Sequence, residues 1–439
     1  MSHSSILLCT IGTGNIDQLR ETLIEPLKKS IHKGEWTQVI LLPSQLTTEH
    51  ATLLQREVQD VPIDIRALPL AGAEDDVDIC FGHFDQVIEE QLASGVSPTR
   101  LLADFTRGTK AMSAALVLAA VRHDLPQLRY ISGGKRDQRG MVVAGTEIVS
   151  EVKTTIATAR KRLDDAHQLF RRGNFAAVLD LLPDPASPFA GVWPDELNSV
   201  ASFVRPLARY NAAWDRLDYR GAATIELPVV PAPSKWKAFE PTPEVRQWVS
   251  QLAIPLPDDA RAREEPLRWL AIDLLANGER RLRDQQFEDA LIRAYRVLEL
   301  VGQLRLGKQG IHSDDLPEDD PVVKKFQEEL AKKKQNPIDR LPNQKLAASR
   351  EQVARLLKRF GDPLAQKLLD LANVGQIKVT RRNYSALIHG FESVSGSDPE
   401  PLRELYKRLD TLLRDDDETH APQWLAVARR LDYGATAQD

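Results

Sequence analysis

Between residues 5 and 150, short apolar runs alternate with longer segments in which apolar residues recur every three or four positions. Continuous apolar runs are typical of parallel strands buried on both faces, and the longer period is typical of crossover helices. Strands are predicted at 5–10, 38–42, 63–68, 100–104 and 128–131, and crossover helices at 17–31, 47–58, 76–93 and 109–122. The pattern indicates a doubly wound α/β domain whose ligands bind at the carboxyl ends of the strands.

After residue 150 the strand signal fades and helical periodicity takes over. Helices are predicted at 152–182, with a turn at Gly173, and at 196–217, 280–304, 321–334, 345–360, 365–389 and 399–413. The proline-rich stretch 227–243 is the strongest linker candidate, because proline fixes φ and removes a backbone donor. We therefore expect an α/β domain at 1–150, a helical connecting region with this linker at 151–255 and an all-helical domain at 256–439. The acidic run 415–418 is interpreted as a solvated helix end.

Composition sets limits on the chemistry of the chain. A length of 439 residues allows two or three domains, and a formal net charge of −5 argues against a uniformly basic coat for nucleic acid. The two cysteines, Cys9 and Cys80, cannot build a disulfide framework or a thiolate zinc site, and no His/Asp/Glu cluster has metal-ligand spacing. No apolar run approaches the length of a membrane span, so we expect a soluble, cytoplasmic protein with no membrane contact. We also expect no cofactor.

Two loops at the predicted carboxyl edge carry the chemistry of an anion site. The first strand runs into a glycine-containing loop with Gly12 and Thr13, which allows close backbone approach and offers N–H groups to a phosphate. It lacks the complete G-x-G-x-x-G pattern, so ordinary dinucleotide binding is only weakly indicated. The loop after the fourth strand places hydroxyls, cations and a glycine turn at a helix start, in Thr106, Arg107, Gly108, Thr109 and Lys110.

An alternative interpretation of the second loop is structural. Thr106 and Thr109 would then only cap the following helix, while Arg107 and Lys110 would remain in solvent. A third segment, 132–135, adds a further basic edge beyond the fifth strand or forms a hairpin turn.

The segment Asp104-Phe-Thr-Arg-Gly-Thr-Lys-Ala-Met112 resembles the D-x-T-G-G-T-K-x-M signature of CARF domains in CRISPR-associated proteins of type III systems, especially the Cas02710 branch. The likeness covers residues 1 to about 150, and 209–219 resembles the middle helical region of the same branch. It implies a Rossmann-like, CARF-like domain in a homodimer that binds cyclic oligoadenylate across its two-fold axis. The implied contacts are Gly12, Thr13, Thr106, Arg107, Gly108, Thr109 and Lys110. This chain departs from the signature at Arg107, where many relatives carry glycine. Cyclic tetra-adenylate is the activator that we expect, in preference to cyclic hexa-adenylate.

Near the C-terminus, Arg382 and His389 lie seven residues apart in an apolar-periodic helix. Their backbones are separated by about 10 Å of helical rise, so both side chains project from one side of the helix. An imidazole and a guanidinium suit metal-free RNA cleavage, in which a 2'-hydroxyl is deprotonated and phosphate charge is stabilised. Three other pairs have similar spacing: Arg162 with His167, Arg305 with His312 and Arg414 with His420. A structural alternative for the segment with Arg382 is a basic helix end at the surface, with a solvated His389.

Only Arg382 is followed by a polar Asn383 and paired with a histidine beside a helix-terminating glycine. This arrangement resembles the R-N/H/D-x5-H motif of HEPN ribonucleases, over roughly residues 260 to 439. The resemblance implies a catalytic pair of Arg382 and His389, positioned by Asn383, with added charge from Arg381. It further implies a cyclic-oligoadenylate-activated, metal-independent endoribonuclease that cuts single-stranded RNA in type III CRISPR antiviral defence. The alternatives are a non-catalytic cyclic-oligoadenylate sensor and a ring nuclease that degrades the activator in the N-terminal pocket.

Overall fold

The computed structural model of the protein describes residues 5–14, 18–135, 146–183, 193–229, 233–371 and 400–431. The chain divides into two compact units, one made of residues 1–165 with 181–201 and the other of residues 166–180 with 202–439. The domain boundaries predicted from the sequence, near residues 150 and 255, stay predictions.

The first unit contains a six-stranded sheet and the helices that cover it. The strands are β1 (Ile6–Ile11), β2 (Gln38–Pro43), β3 (Ile63–Ile65), β4 (Leu101–Asp104), β5 (Gln127–Gly133) and β6 (Glu147–Lys153). The helices between them are α1 (Glu25–His32), which continues a π-helical turn at Arg20–Ile24, α2 (Thr48–Glu57), α3 (Val77–Ala93) and α4 (Lys110–Arg122).

The strand order is β3-β2-β1-β4-β5-β6, with the first five strands parallel and β6 antiparallel to β5. Alternate residues of β1 enter two separate cores, because successive side chains of a strand point to opposite faces. Leu7 and Cys9 pack with α1 and α2, while Ile6 and Leu8 pack with α3 and α4. Both faces of the sheet are therefore buried, which explains the unbroken apolar runs in the sequence.

Strand β6 is absent from the sequence prediction, in which the strand signal fades by residue 150 and a helix begins at residue 152. Instead, β6 continues to Lys153 and α5 begins at Thr155. The strand is an antiparallel edge, and two of its apolar side chains, Ile148 and Val152, are exposed. Exposure of the apolar positions removes the burial pattern by which an inner strand is detected.

The rest of the described chain is mainly helical. Its helices are α5 (Thr155–Arg171), α6 (Phe175–Leu181), α7 (Asp195–Asp215), α8 (Tyr219–Ala223), α9 (Pro243–Leu252), α10 (Glu264–Arg283), α11 (Phe287–Lys308), α12 (Pro321–Lys332), α13 (Arg350–Arg359), α14 (Ala365–Leu371), α15 (Glu400–Asp416) and α16 (Ala421–Ala428). A two-stranded ladder, β7 (Asp339–Arg340) with β8 (Leu346–Ala347), precedes α13. Helices α10 and α11 form the centre of the second unit, where α13, α15 and α16 pack on them.

The helix predicted at 280–304 is in fact the end of α10 and most of α11. The chain turns between them at Asp284–Gln286, where Gln285 has a φ of +60°. Neither glycine nor proline marks this turn, so the periodicity of the two helices appeared continuous in the sequence.

A buried carboxylate in α10 organises the second unit. Asp273 is 1% exposed, and its Oδ1 accepts hydrogen bonds from the indole N–H of Trp214 at 2.9 Å and of Trp248 at 3.0 Å. Its Oδ2 accepts a hydrogen bond from Tyr219 Oη at 2.8 Å. Burial raises the pKa of Asp273 above its usual range despite these three donors. The segment 209–219 is thus tied to α10 by its own side chains.

The acidic run at 415–418 was predicted to be a solvated helix end, and for Asp416 this was wrong. The Asp416 side chain is fully buried and contacts Arg268 at 2.6 Å, Arg305 at 3.1 Å and Lys308 at 3.4 Å. It follows the buried Leu409, Leu412 and Leu413 at helical spacing, so it lies on the inner face of α15. Cations of α10 and α11 compensate the buried charge.

Candidate functional site

The loops that follow β1 and β4 meet at the carboxyl edge of the first unit. Strands β1 and β4 are hydrogen-bonded neighbours, with Cys9 opposite Asp104. A Cβ added to Gly12 would lie 2.8 Å from the backbone nitrogen of Gly108, which is too close for any side chain. Gly108 itself has a φ of +125°, a region that favours glycine, and lies against Thr10. Two glycines therefore let the loops touch backbone to backbone.

Thr106 fixes the shape of the second loop. Its backbone N–H donates to Asp104 Oδ1 at 2.9 Å, its hydroxyl donates to the same carboxylate, and the hydroxyl oxygen accepts from Ile131 N at 2.8 Å. Asp104 is 1% exposed, and its other oxygen accepts from Ser30 Oγ at 2.5 Å. The Thr106 side chain is engaged within the protein and holds the loop in position, while its part in ligand binding stays a prediction.

Thr109 is the N-cap of α4. Its Oγ1 accepts a hydrogen bond from Met112 N at 3.1 Å and donates to the backbone carbonyl of Glu74, in the loop before α3. The cap orients the first turn of α4, whose N-terminal N–H groups carry partial positive charge. The capping alternative raised from the sequence thus describes the geometry of Thr109, while its contact with a ligand stays a prediction.

The remaining predicted ligand residues differ in exposure. Lys110 and Thr13 are exposed, whereas Arg107 is half-buried. Lys110 is the first residue of α4, and within the described ranges no ion pair engages its ammonium group. This edge of the sheet therefore combines a helix N-terminus, an exposed cation and two backbone loops, which suits an anionic ligand.

Two residues of the neighbouring segment hold the first loop and were missed in the sequence. Thr47 Oγ1 donates to the carbonyl of Ile11 at 2.9 Å, and His50 Nδ1 lies 3.4 Å from the carbonyl oxygen of Gly12. The available signal was the Ser44-x-x-Thr47 pattern, which forms a capping box here. A cap motif predicts a helix start, and it does not predict which strand end the helix start will contact.

Two buried polar atoms near this edge make no hydrogen bond within the part of the chain that the structure describes. They are Thr10 Oγ1, on a fully buried residue, and Glu74 Oε2. Buried polar atoms are usually paired, so these two oxygens are candidate contacts for polar groups of a ligand.

The predicted catalytic residues Arg382, Asn383 and His389 lie outside the described residues. The structure does describe the arginines of the three other Arg/His pairs, and each of them contacts a carboxylate. Arg162 contacts Asp124, Arg305 contacts Asp362 at 2.7 Å as well as Asp416, and Arg414 contacts Asp410 at 2.6 Å. In each of these pairs the carboxylate takes up part of the guanidinium's hydrogen-bonding capacity and leaves less of it for a phosphate. These three arginines are therefore weaker catalytic candidates than their spacing alone indicated.

Neither cysteine is suited to thiolate chemistry. Cys9 and Cys80 are both free, and burial raises the pKa of each thiol, to about 11 for Cys80. Among the described residues, no group of three or more His, Cys, Asp or Glu side chains is placed to hold a metal ion. No helix in the described ranges is long and apolar enough to cross a membrane.

Comparison with known proteins agrees with the resemblance noted in the sequence. Residues 259–413 match the family model of the Csm6 HEPN domain. Csm6 from Enterococcus italicus, solved bound to cyclic hexa-2'-fluoro-hexa-dAMP, superposes with a TM-score of 0.56 and 12% identity, over 98% of this chain and 100% of that chain. Can2 from Sulfobacillus thermosulfidooxidans, solved with cyclic tetra-adenylate, gives a TM-score of 0.24 and 12% identity over 51% of this chain and 69% of that chain. No curated protein matches in sequence.

The fold and the comparisons together define a two-part protein, with a sheet domain and a helical domain. An α/β sheet domain at the N-terminus is followed by helices, and the predicted fold class is confirmed. More particularly, the chain has a Csm6-like fold, and its C-terminal helices match the HEPN domain that the resemblance implied.

Proposed function

We propose that this protein is a cyclic-oligoadenylate-activated, metal-independent endoribonuclease that cuts single-stranded RNA in type III CRISPR antiviral defence. The observation that carries the proposal is the match of residues 259–413 to the Csm6 HEPN domain, because that range contains Arg382, Asn383 and His389. The α/β unit, with its anion-suited edge, supplies the sensor, which we assign to residues 1–150. The nuclease domain is assigned to residues 256–439.

The proposed cleavage uses the RNA's own 2'-hydroxyl as nucleophile. His389 removes or orients the 2'-hydroxyl proton, the 2'-oxygen forms a bond to phosphorus, and the bond from phosphorus to the 5'-oxygen breaks. Arg382 stabilises the charge on the pentacoordinate phosphate, and Asn383 positions the pair. The products are a 2',3'-cyclic phosphate, which can open to a 3'-phosphate, and a 5'-hydroxyl that has taken up a proton.

Activation is proposed to act through a homodimer. Paired N-terminal units bind the cyclic oligoadenylate, and the dimer shifts to a state in which two copies of the Arg382 and His389 pair face one groove. Such coupling requires the activator to bind the competent state more tightly than the resting state. The binding of a cyclic hexanucleotide analogue by the Enterococcus protein, whose fold is similar, supports a cyclic oligonucleotide as the ligand class.

The geometry of the carboxyl edge supports different roles for the predicted ligand residues. Gly12 and Gly108 let the ligand approach the backbone of the two loops closely. Lys110 and Thr13 are exposed and contact its phosphate and ribose groups. Arg107 adds a second cation to the same loop. Thr106 and Thr109 act by holding that loop and the start of α4, given the hydrogen bonds that they already make.

The direct test incubates the full-length protein with a quenched fluorescent RNA in the presence of EDTA. Cyclic tri-, tetra- and hexa-adenylate are added separately, and the initial rate of fluorescence increase is recorded. We expect no dependence on added metal and the strongest activation by cyclic tetra-adenylate. Strict dependence on a divalent cation, or cleavage indifferent to all three activators, would contradict the proposal.

The same incubations separate the two alternatives. A non-catalytic sensor would bind cyclic oligoadenylate and leave the RNA intact. A ring nuclease would convert the activator to linear products, which chromatography of the reaction mixture detects whether or not RNA is cut.

A further inference from the structure

A polar cleft lies along one face of α11 in the second unit, separate from the predicted catalytic segment in sequence. One part, of about 290 Å³, lies between α11 and the start of α13; the adjoining part, of about 210 Å³, lies between α11 and the segments 256–267 and 311–314. Both parts are lined by Arg296, Gln303 and Ser313. The two adjoining parts are treated together as the cleft, and their lining residues span about 18 Å of helix from Tyr295 to Gly307.

The guanidinium of Arg350 lines this cleft and has no carboxylate partner among the residues that the structure describes. Arg350 is the first residue of α13, and its guanidinium lies over the ring of Tyr295 at 5.6 Å from the centroid. Its Nε is buried, and within the described ranges no hydrogen bond or ion pair engages the side chain. A cation–π contact orders the planar group and leaves its N–H donors available, which is the arrangement that binds phosphate in two-point contacts.

Other groups of the cleft fit the same type of ligand, although the carboxylates of Glu299 and Asp314 also line it. Arg296 has a side chain 44% exposed and pairs only with Glu299, at 3.0 Å, among described residues. One hydrogen bond uses one of five guanidinium donors, so most of them remain. The Gln303 amide makes no hydrogen bond within the described part of the chain, and His312 lines the adjoining part of the cleft. Amide and imidazole groups can contact base edges or ribose hydroxyls.

We propose that this cleft binds the backbone of single-stranded RNA, with Arg350 and Arg296 each contacting a phosphate and Gln303 contacting the nucleotide between them. The proposal rests on the proposed function, in that RNA is taken as the substrate. The cleft then acts as a substrate-holding site. It explains how a chain with a net charge of −5 could retain RNA, since the positive charge is local.

The test measures binding of a fluorescein-labelled 2'-O-methyl RNA decamer by fluorescence anisotropy, without activator. Such RNA has no free 2'-hydroxyl, so the result is independent of cleavage. Arg350→Gln and Arg296→Gln are each expected to weaken binding about tenfold. Each should also reduce the slope of log affinity against log salt by about 0.7, the share of one phosphate contact on a single strand. Arg355→Gln is the matched control, because this arginine of the same helix does not line either part of the cleft.

A second kind of variant guards against misfolding of the arginine variants. Gln303→Glu replaces one half-buried amide with a carboxylate of the same shape and is expected to weaken binding by repulsion of phosphate. Wild-type affinity and salt slope in the Arg296→Gln, Arg350→Gln double variant would overturn the proposal and leave the cleft to another partner. Binding that depends on the cleft in a protein that cuts no RNA would overturn the proposed ribonuclease and retain the RNA site.

Discussion

The buried carboxylate of Asp273 provides a quantitative test of how the second unit is held together. Its two oxygens accept three hydrogen bonds, from Trp214, Trp248 and Tyr219. In an Asp273→Asn variant, the amide oxygen can still accept from both indoles, and the amide N–H can donate to the Tyr219 oxygen. In an Asp273→Leu variant of similar size, all three buried donors lose their acceptor.

The two variants are expected to differ widely in stability. An unsatisfied buried donor costs about 1–3 kcal/mol, so Asp273→Leu should lower the free energy of unfolding of this unit by at least about 3 kcal/mol. Asp273→Asn keeps the hydrogen bonds and removes a charge whose burial is unfavourable. At pH 7 its unfolding free energy should therefore lie within about 1 kcal/mol of wild type or above it.

Acidification should reduce the difference between Asp273→Asn and wild type. Burial raises the pKa of Asp273, so the folded protein takes up a proton at a higher pH than the unfolded chain does. Above the folded-state pKa the full cost of the buried charge is present. As pH falls through that pKa towards the ordinary carboxyl value, the wild type gains this stability back, whereas the variant has no group to titrate.

Urea unfolding followed by tryptophan fluorescence measures both effects, because two of the reporting indoles contact Asp273 directly. Equal destabilisation by the asparagine and leucine substitutions would refute the reasoning. It would mean that the negative charge, acting on the neighbouring Arg280, matters more than the three hydrogen bonds.

Three further predictions follow from close packing and buried charge. Gly12→Ala places a Cβ 2.8 Å from a backbone nitrogen of the neighbouring loop and should raise the activator concentration for half-maximal cleavage about tenfold, whereas Gly82→Ala, with open space around it, should leave it unchanged. Gly278→Ala places a Cβ only 1.9 Å from Tyr406 Oη and should cost about 1–3 kcal/mol in urea unfolding, less so when combined with Tyr406→Phe. Asp416→Asn leaves three cations around a neutral amide and should cost about 3–5 kcal/mol; a loss under about 1 kcal/mol would show that this charge is dispensable.

The parts of the fold that could be predicted were those whose burial repeats in the sequence. The inner strands β1, β2 and β4 are apolar at nearly every position because helices cover both faces of the sheet. The edge strand β6 has exposed apolar residues and was missed for that reason. The break between α10 and α11 was missed because Gln285 takes a positive φ without the glycine that usually marks such a turn.

The candidate site divides in the same way. Gly12, Gly108 and Lys110 could be identified because glycine loops and cations after strands have a direct chemical meaning. His50 could not, since its proximity to Gly12 depends on how α2 packs beside β1. Asp416 was wrongly predicted to be solvated, because its neighbours in sequence are acidic. Its side chain is buried beside three cations that are distant in sequence.

The proposed nuclease depends on Arg382 and His389 cutting RNA when activator is bound. The measurement is the initial rate of RNA cleavage at saturating cyclic tetra-adenylate with EDTA, for Arg382→Ala and His389→Ala beside His420→Ala, whose histidine pairs with Asp417 in one of the competing motifs. We predict a fall of at least about 100-fold for the first two variants and less than about twofold for the control. Wild-type cleavage by His389→Ala would contradict the account.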